Sequence, residues 1–169
     1  MTITNNTTRL LAAIAIATSA AVMFVGCTGG TTMNAAPTKA SDEAKHLVVD
    51  IVDRSTAALG GEWTVRSGPA VQACALPSGG SGAAFAYIVD RAAGGEPTAD
   101  IGTLKTLWER EGVTTEVYQN GGSNPVGGVR GTGGPTTSID LYADPKGYTV
   151  EGLSVCTEGD AAEMQRNGE

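Results

Sequence analysis

Residues 10–26 form a charge-free run that ends on Cys27, and this is the feature that most limits what the 169-residue chain can fold into. Residues 1–9 are polar and carry one cation, Arg9. Seventeen uncharged residues after a short basic start read as a segment that enters a membrane. A spanning helix needs roughly 20 predominantly apolar residues. This run is Ala-rich, contains Thr18 and Ser19, and closes on Phe24-Val25-Gly26-Cys27, where the small Gly26 gives a peptidase access to the bond. Residues 1–26 are therefore expected to be a cleaved leader, and 143 of the 169 residues remain for folding, enough for one domain with a real core.

The four closing residues resemble the lipobox of bacterial lipoproteins, in which an apolar residue three before the cut and a small residue just before it precede a cysteine. Phe24 is bulkier than the usual leucine. The resemblance implies a diacylglyceryl group on Cys27 and attachment to the outer, extracytoplasmic face of the cell membrane. Two or more acyl chains anchor firmly, at ~0.8 kcal/mol per buried methylene. An ordinary secretory leader and an uncleaved anchor are the competing readings.

Lipidation also settles the cysteine arithmetic. Three cysteines leave one over in an exported protein, where thiols tend to be oxidised. With Cys27 acylated, Cys74 and Cys156 remain as a pair and a disulfide is expected between them. Two buried free thiols are the alternative, and no second Cys or His stands at metal-ligand spacing beside either. Without Arg9 the mature chain has ten Lys/Arg against eighteen Asp/Glu, a net charge of −8. An acidic chain with no basic cluster disfavours nucleic acid and anionic lipid as partners.

Residues 27–40 are expected to be the lipidated cysteine and a flexible tether, since their Thr, Gly, Ala, Asn and Pro cannot form a core. Ser41 is a plausible N-cap, with Asp42 and Glu43 in the first turn. Ala44, Val48, Ile51, Val52, Ser55 and Leu59 then recur at helical spacing until Gly60-Gly61. A short strand around Trp63 and Val65 follows, then an irregular segment holding Cys74, then a continuous apolar run at 84–89 that reads as a buried strand. A second helix is expected with Thr98 as cap, Ile101, Leu104, Leu107 and Trp108 as stripe, and Gly112 as terminator. Strands at 113–118, 136–143 and 148–156 complete the pattern, the last two joined by Asp144-Pro145-Lys146-Gly147. The expected fold is α+β: a two-layer sandwich of a mainly antiparallel sheet of about five strands, two helices packed on it and one disulfide. The domain should cover 41–156, with a polar, frayed tail at 157–169.

The lipobox cysteine, the tether, the amphipathic helix, Trp63 with a cysteine soon after it, Leu107-Trp108 before Gly112, and Val155-Cys156 at the end of the last strand together resemble the small envelope lipoproteins of actinobacteria, particularly the mycobacterial LppA type. The likeness is a pattern of elements and cysteines over most of the mature chain. It implies an envelope lipoprotein with a disulfide-braced α+β domain and no established catalytic activity. No site residues carry over beyond Cys27, Cys74 and Cys156.

Catalytic signals are weak. His46, the single imidazole, shares a helix face with Asp50 and Asp53, but no second His or Cys completes a ligand set, so a solvated face is the simpler reading. Gly79-Gly80-Ser81-Gly82-Ala83 precedes a strand, whereas a nucleophile elbow follows one. Seven glycines in 121–134 suggest a flexible hairpin connection or a ligand loop; a phosphate cradle would be followed by a helix. No catalytic residue, cofactor or metal is expected. The leading expectation is a non-catalytic module that binds another envelope protein, the alternative a small-molecule or lipid carrier, and a hydrolase ranks last.

Overall fold

A computed structural model describes residues 39–123 and 125–169. The expectations for the leader, for Cys27 and for most of the tether fall outside the described residues. Helix α1 (Lys39–Leu59) leads into strands β1 (Thr64–Ala75) and β2 (Ser81–Arg91). Helix α2 (Pro97–Arg110) is followed by four strands, β3 (Val113–Asn120), β4 (Val126–Gly133), β5 (Thr136–Asp144) and β6 (Gly147–Ser154), and by a short helix α3 (Ala161–Arg166). The six strands form one antiparallel sheet in the order β1-β2-β6-β5-β4-β3.

The α+β class and the disulfide are as the sequence suggests, but the sheet has six strands, not five. The extra one is β4, which lies inside the glycine-rich stretch read as a connection. Its glycines serve close packing: a Cβ on Gly127 would stand 2.9 Å from the Ile101 side chain, and one on Gly128 would stand 2.3 Å from the Tyr118 ring. Neighbouring side chains lie across this strand where its own are missing. The true connection shortens to 121–125. Cys74 likewise sits in no irregular segment but near the end of the long strand β1, which absorbs two register shifts and a cis Gly68-Pro69 peptide.

The three described helices lie on one face. α1 presents the stripe its spacing predicts, with Ala44, Val48, Ile51, Val52 and Ser55 buried. α2 presents Ile101, Leu104 and Trp108. They cover Phe85, Tyr87, Val89, Val129, Ile139, Leu141, Tyr148 and Val150 of the sheet, all buried. Ser55 is the polar member of the stripe and is fully paired: it accepts from Trp108 Nε1 at 2.8 Å and donates to the Ile51 carbonyl at 2.7 Å. A buried hydroxyl thus ties the two helices together without an unmet hydrogen bond.

The helix starts differ from expectation in detail. α1 is helical from Lys39, the first described residue, so Ser41 is a buried residue inside the helix and not its cap. α2 begins at Pro97 after Glu96, with Thr98 already inside, because proline at a first helical position gives up an N–H that has no partner there. The C-terminal residues are not a frayed tail. Asp160 caps α3, accepting from the Glu163 N–H at 3.0 Å, and Ala161 and Met164 are buried against Val71, Ala83 and Phe85. Two buried apolar side chains and one cap outweigh the fraying of an otherwise polar segment.

Candidate functional site

The residues singled out in the sequence do not converge. Cys27 lies outside the described residues. Cys74 and Cys156 are joined, with Cα atoms 5.9 Å apart, and tie the end of β1 to the chain just beyond β6. His46 is exposed on α1, and its neighbour Asp50 pairs with Arg54 at 2.8 Å. Ser81 opens β2 and pairs in register with Ala75. Among the described residues no group of three or more His, Cys, Asp or Glu is placed to hold a metal ion, and no helix is long and apolar enough to cross a membrane.

What the register does assemble is a polar field on the sheet face that no described helix covers. Alternate residues of a strand share a face, so the pairing brings Glu116, Arg130, Asp140, Glu151 and Ile88 into one row across β3, β4, β5, β6 and β2. The next row holds Tyr118, Gly128, Tyr142, Thr149 and Asp90. Gly128 leaves room for the Tyr118 ring to lie over β4. From there its hydroxyl donates to Asp140 Oδ1 at 2.6 Å, while the Arg130 guanidinium stacks 4.4 Å from the ring centre. Arg130 Nε stands 3.7 Å from Asp140 Oδ2, an ion-pair contact beyond hydrogen-bond range.

Partial burial raises the Asp140 carboxyl above its ordinary range, against the opposing pull of the Tyr118 hydroxyl and the Arg130 charge. Burial and the Asp140 carboxylate push the Tyr118 phenol well above the usual tyrosine value, so it stays a donor. Beside this group is an open hollow of about 400 Å³ lined by Arg130, Ser138, Asp140, Tyr142, Thr149 and Glu151. Tyr142 is 42% exposed there. Donors, acceptors and an aromatic surface face solvent together, which suits recognition; no nucleophile with an orienting base is among them.

A second polar group lies within the helix-covered side. Arg91 is 8% exposed, with its guanidinium 4.4 Å from the Tyr148 ring centre and 5.2 Å from that of Trp63. Its Nη1 donates to the Gly60 carbonyl at 2.9 Å and to the Leu59 carbonyl at 3.2 Å, where α1 ends and carbonyls lack helical partners. Its Nη2 stands 3.7 Å from Asp100 Oδ2, which also accepts from the Tyr148 hydroxyl at 2.8 Å. Burial and that carboxylate push the Tyr148 phenol up to about 12. Arg91 joins the end of α1 to the start of α2 across the end of β2. It acts as a structural knot.

No family model and no curated protein matches the chain. One solved structure does. It is a DUF4853 family protein from Actinomyces odontolyticus ATCC 17982, 17% identical, with a TM-score of 0.51, the match covering 71% of this chain and 67% of that one. At that identity the likeness extends to the fold.

Sequence reasoning missed both polar groups, for different reasons. Tyr118, Arg130 and Asp140 come from three strands, and only the pairing register unites them. Arg91 stands two residues past an apolar run that already read as a buried strand, and only the fold brings the Leu59 and Gly60 carbonyls and Asp100 to it.

Proposed function

We propose that this chain is a lipid-anchored lipoprotein on the outer face of the cell membrane, and that its domain is a non-catalytic binding module presenting the bare sheet face to another envelope protein. The charge-free run ending on Cys27, and the resemblance to small actinobacterial lipoproteins, support the anchor. The observation that carries the binding reading is the polar field around Tyr118, Arg130 and Asp140 with its hollow beside Tyr142 and Glu151. A carrier with its ligand between sheet and helices fits less well, because Trp108, Leu104, Leu141 and Tyr148 fill that space at 0–1% exposure.

Crosslinking the protein in its own membrane and identifying what co-purifies tests the reading. Glu151→Arg reverses a charge at the hollow on an exposed position and should abolish capture while leaving the fold intact. Equal capture by wild type and Glu151→Arg, or recovery of a lipid in place of a protein, would overturn it. For the anchor, Cys27→Ala should leave the precursor uncut or release the protein from the membrane, and wild-type protein that takes up no acyl label refutes lipidation.

A further inference from the structure

The two edges of the sheet are built differently. β1 shifts register twice, carries Gly68 at a φ of +89° before the cis Pro69, and is overlain by α3, whose Gln165 Nε2 donates to the Val71 carbonyl at 2.9 Å. Bulges, proline and a covering element are how proteins block strand edges. Among the described residues β3 has none of these. It pairs with β4 residue for residue from Val113 to Asn120 without a shift, and among the described residues no backbone group of β3 bonds to anything on its other side. A straight open edge of eight residues is a template for another strand.

Both flanks of that edge also offer side-chain recognition. On the helix side, Val117 is 52% exposed and borders a groove of about 450 Å³ between β3 and the first turns of α2, lined also by Pro97, Ile101, Gly102, Pro125 and Ala143. On the bare side stand Glu116, exposed and without an ion pair among the described residues, and Tyr118 of the polar field. An added strand sends alternate side chains to the two flanks, so backbone bonds would give affinity and these two environments would give selectivity.

We propose that the β3 edge accepts an extended segment of a partner protein as a seventh strand, with an apolar side chain seated in the groove beside Val117 and basic side chains facing Glu116. This rests on the binding-module reading and supplies the chemistry of the partner. A second copy of the chain is a poorer occupant, since two β3 strands would bring two Glu116 edges together on two acidic proteins.

The probe is a short blocked peptide of alternating valine and lysine, added to the full-length chain in detergent, with anisotropy for binding and hydrogen exchange for location. Expected are binding with slowed exchange at the amides of 113–120, and no binding by the same peptide N-methylated throughout, which keeps the side chains but cannot donate backbone bonds. Gly102→Leu is the decisive variant: nothing lies within 4 Å of a Cβ at Gly102, so the helix accepts the side chain while the groove fills. It and Glu116→Lys should each weaken binding about tenfold or more without lowering the melting temperature, which Gly102→Leu should raise slightly because leucine favours a helix over glycine. Absence of protection on β3, equal binding by the methylated peptide, or a β3-dependent dimer before any peptide is added would each overturn strand addition. Membrane capture that is lost in Glu151→Arg but survives Gly102→Leu would also overturn it, leaving the binding module itself standing.

Discussion

Replacing Arg91 with methionine should be among the most damaging single changes outside the apolar core. The substitution keeps the length and much of the packing between Trp63 and Tyr148 but removes the charge. Two carbonyls, Leu59 and Gly60, lose a cationic donor, and bonds to charged groups are worth about 1.5–3 kcal/mol each. Gly60 keeps the Trp63 Nε1–H as a donor at 3.0 Å, so its share is small. Asp100 loses its cation but keeps the Tyr148 hydroxyl and is 20% exposed, so the full 3–5 kcal/mol of a broken buried pair is too much. Relief comes from Arg91 Nε and Nη2, which are buried without hydrogen-bond partners. The net expectation is about 2–4 kcal/mol, readable as a lower urea midpoint at unchanged slope. A double-mutant cycle with Asp100→Asn isolates the pair: Asp100→Asn should cost less in the Arg91→Met background than in wild type. Equal costs in both backgrounds, or Arg91→Met within about 0.5 kcal/mol of wild type, would refute the argument.

Reduction of the Cys74–Cys156 bond should lower stability by up to about 4–5 kcal/mol on the loop-entropy scale for a separation of 82 residues, checked by melting with and without reductant; an unchanged melt would place the constraint elsewhere. Because the Tyr148 phenol is raised in the folded protein, the folded state holds its proton more tightly, and stability should fall as pH climbs from about 10 to about 12. Tyr148→Phe should flatten that decline in alkaline melts. Gly128→Ala should cost about 1–3 kcal/mol, since its Cβ would meet the Leu141 carbonyl oxygen at 2.4 Å as well as the Tyr118 ring, and loss of the Arg130 stack should show in tyrosine ring shifts. Asp140 should titrate above an ordinary carboxylate by carbon NMR and move higher still in Arg130→Gln, which removes a charge that pulls it down.

The parts of the fold that were legible in the sequence are those whose signal is periodic or local. The α1 and α2 stripes follow from apolar spacing alone, and the β5 to β6 turn from Asp144-Pro145-Lys146-Gly147, where the Asp144 carboxylate accepts from the Lys146 N–H at 2.8 Å. The Cys74–Cys156 pair follows from counting cysteines. α3 was legible in principle: Asp160 and Glu163 stand at capping spacing before Met164, but two buried side chains in six residues are too few for a periodic signal. β4 was not legible, because glycine is depleted in strands and what holds this one is supplied by its neighbours.

The glycines that hid β4 also make the surface on which the functional reading depends. A side chain at position 128 would lift Tyr118 off the sheet, separating its hydroxyl from Asp140 and its ring from Arg130. A side chain at position 127 would press on Ile101 at the groove beside the β3 edge. Both contacts need a strand that contributes backbone and little else at those two positions. Interior glycines weaken strands in general, but here Ile101, Tyr118 and the Leu141 carbonyl already occupy the space a Cβ would take. At those positions folding and surface shape make the same demand: the close contacts that make Gly128→Ala costly are the ones that lay Tyr118 over β4 and keep the groove beside the β3 edge open.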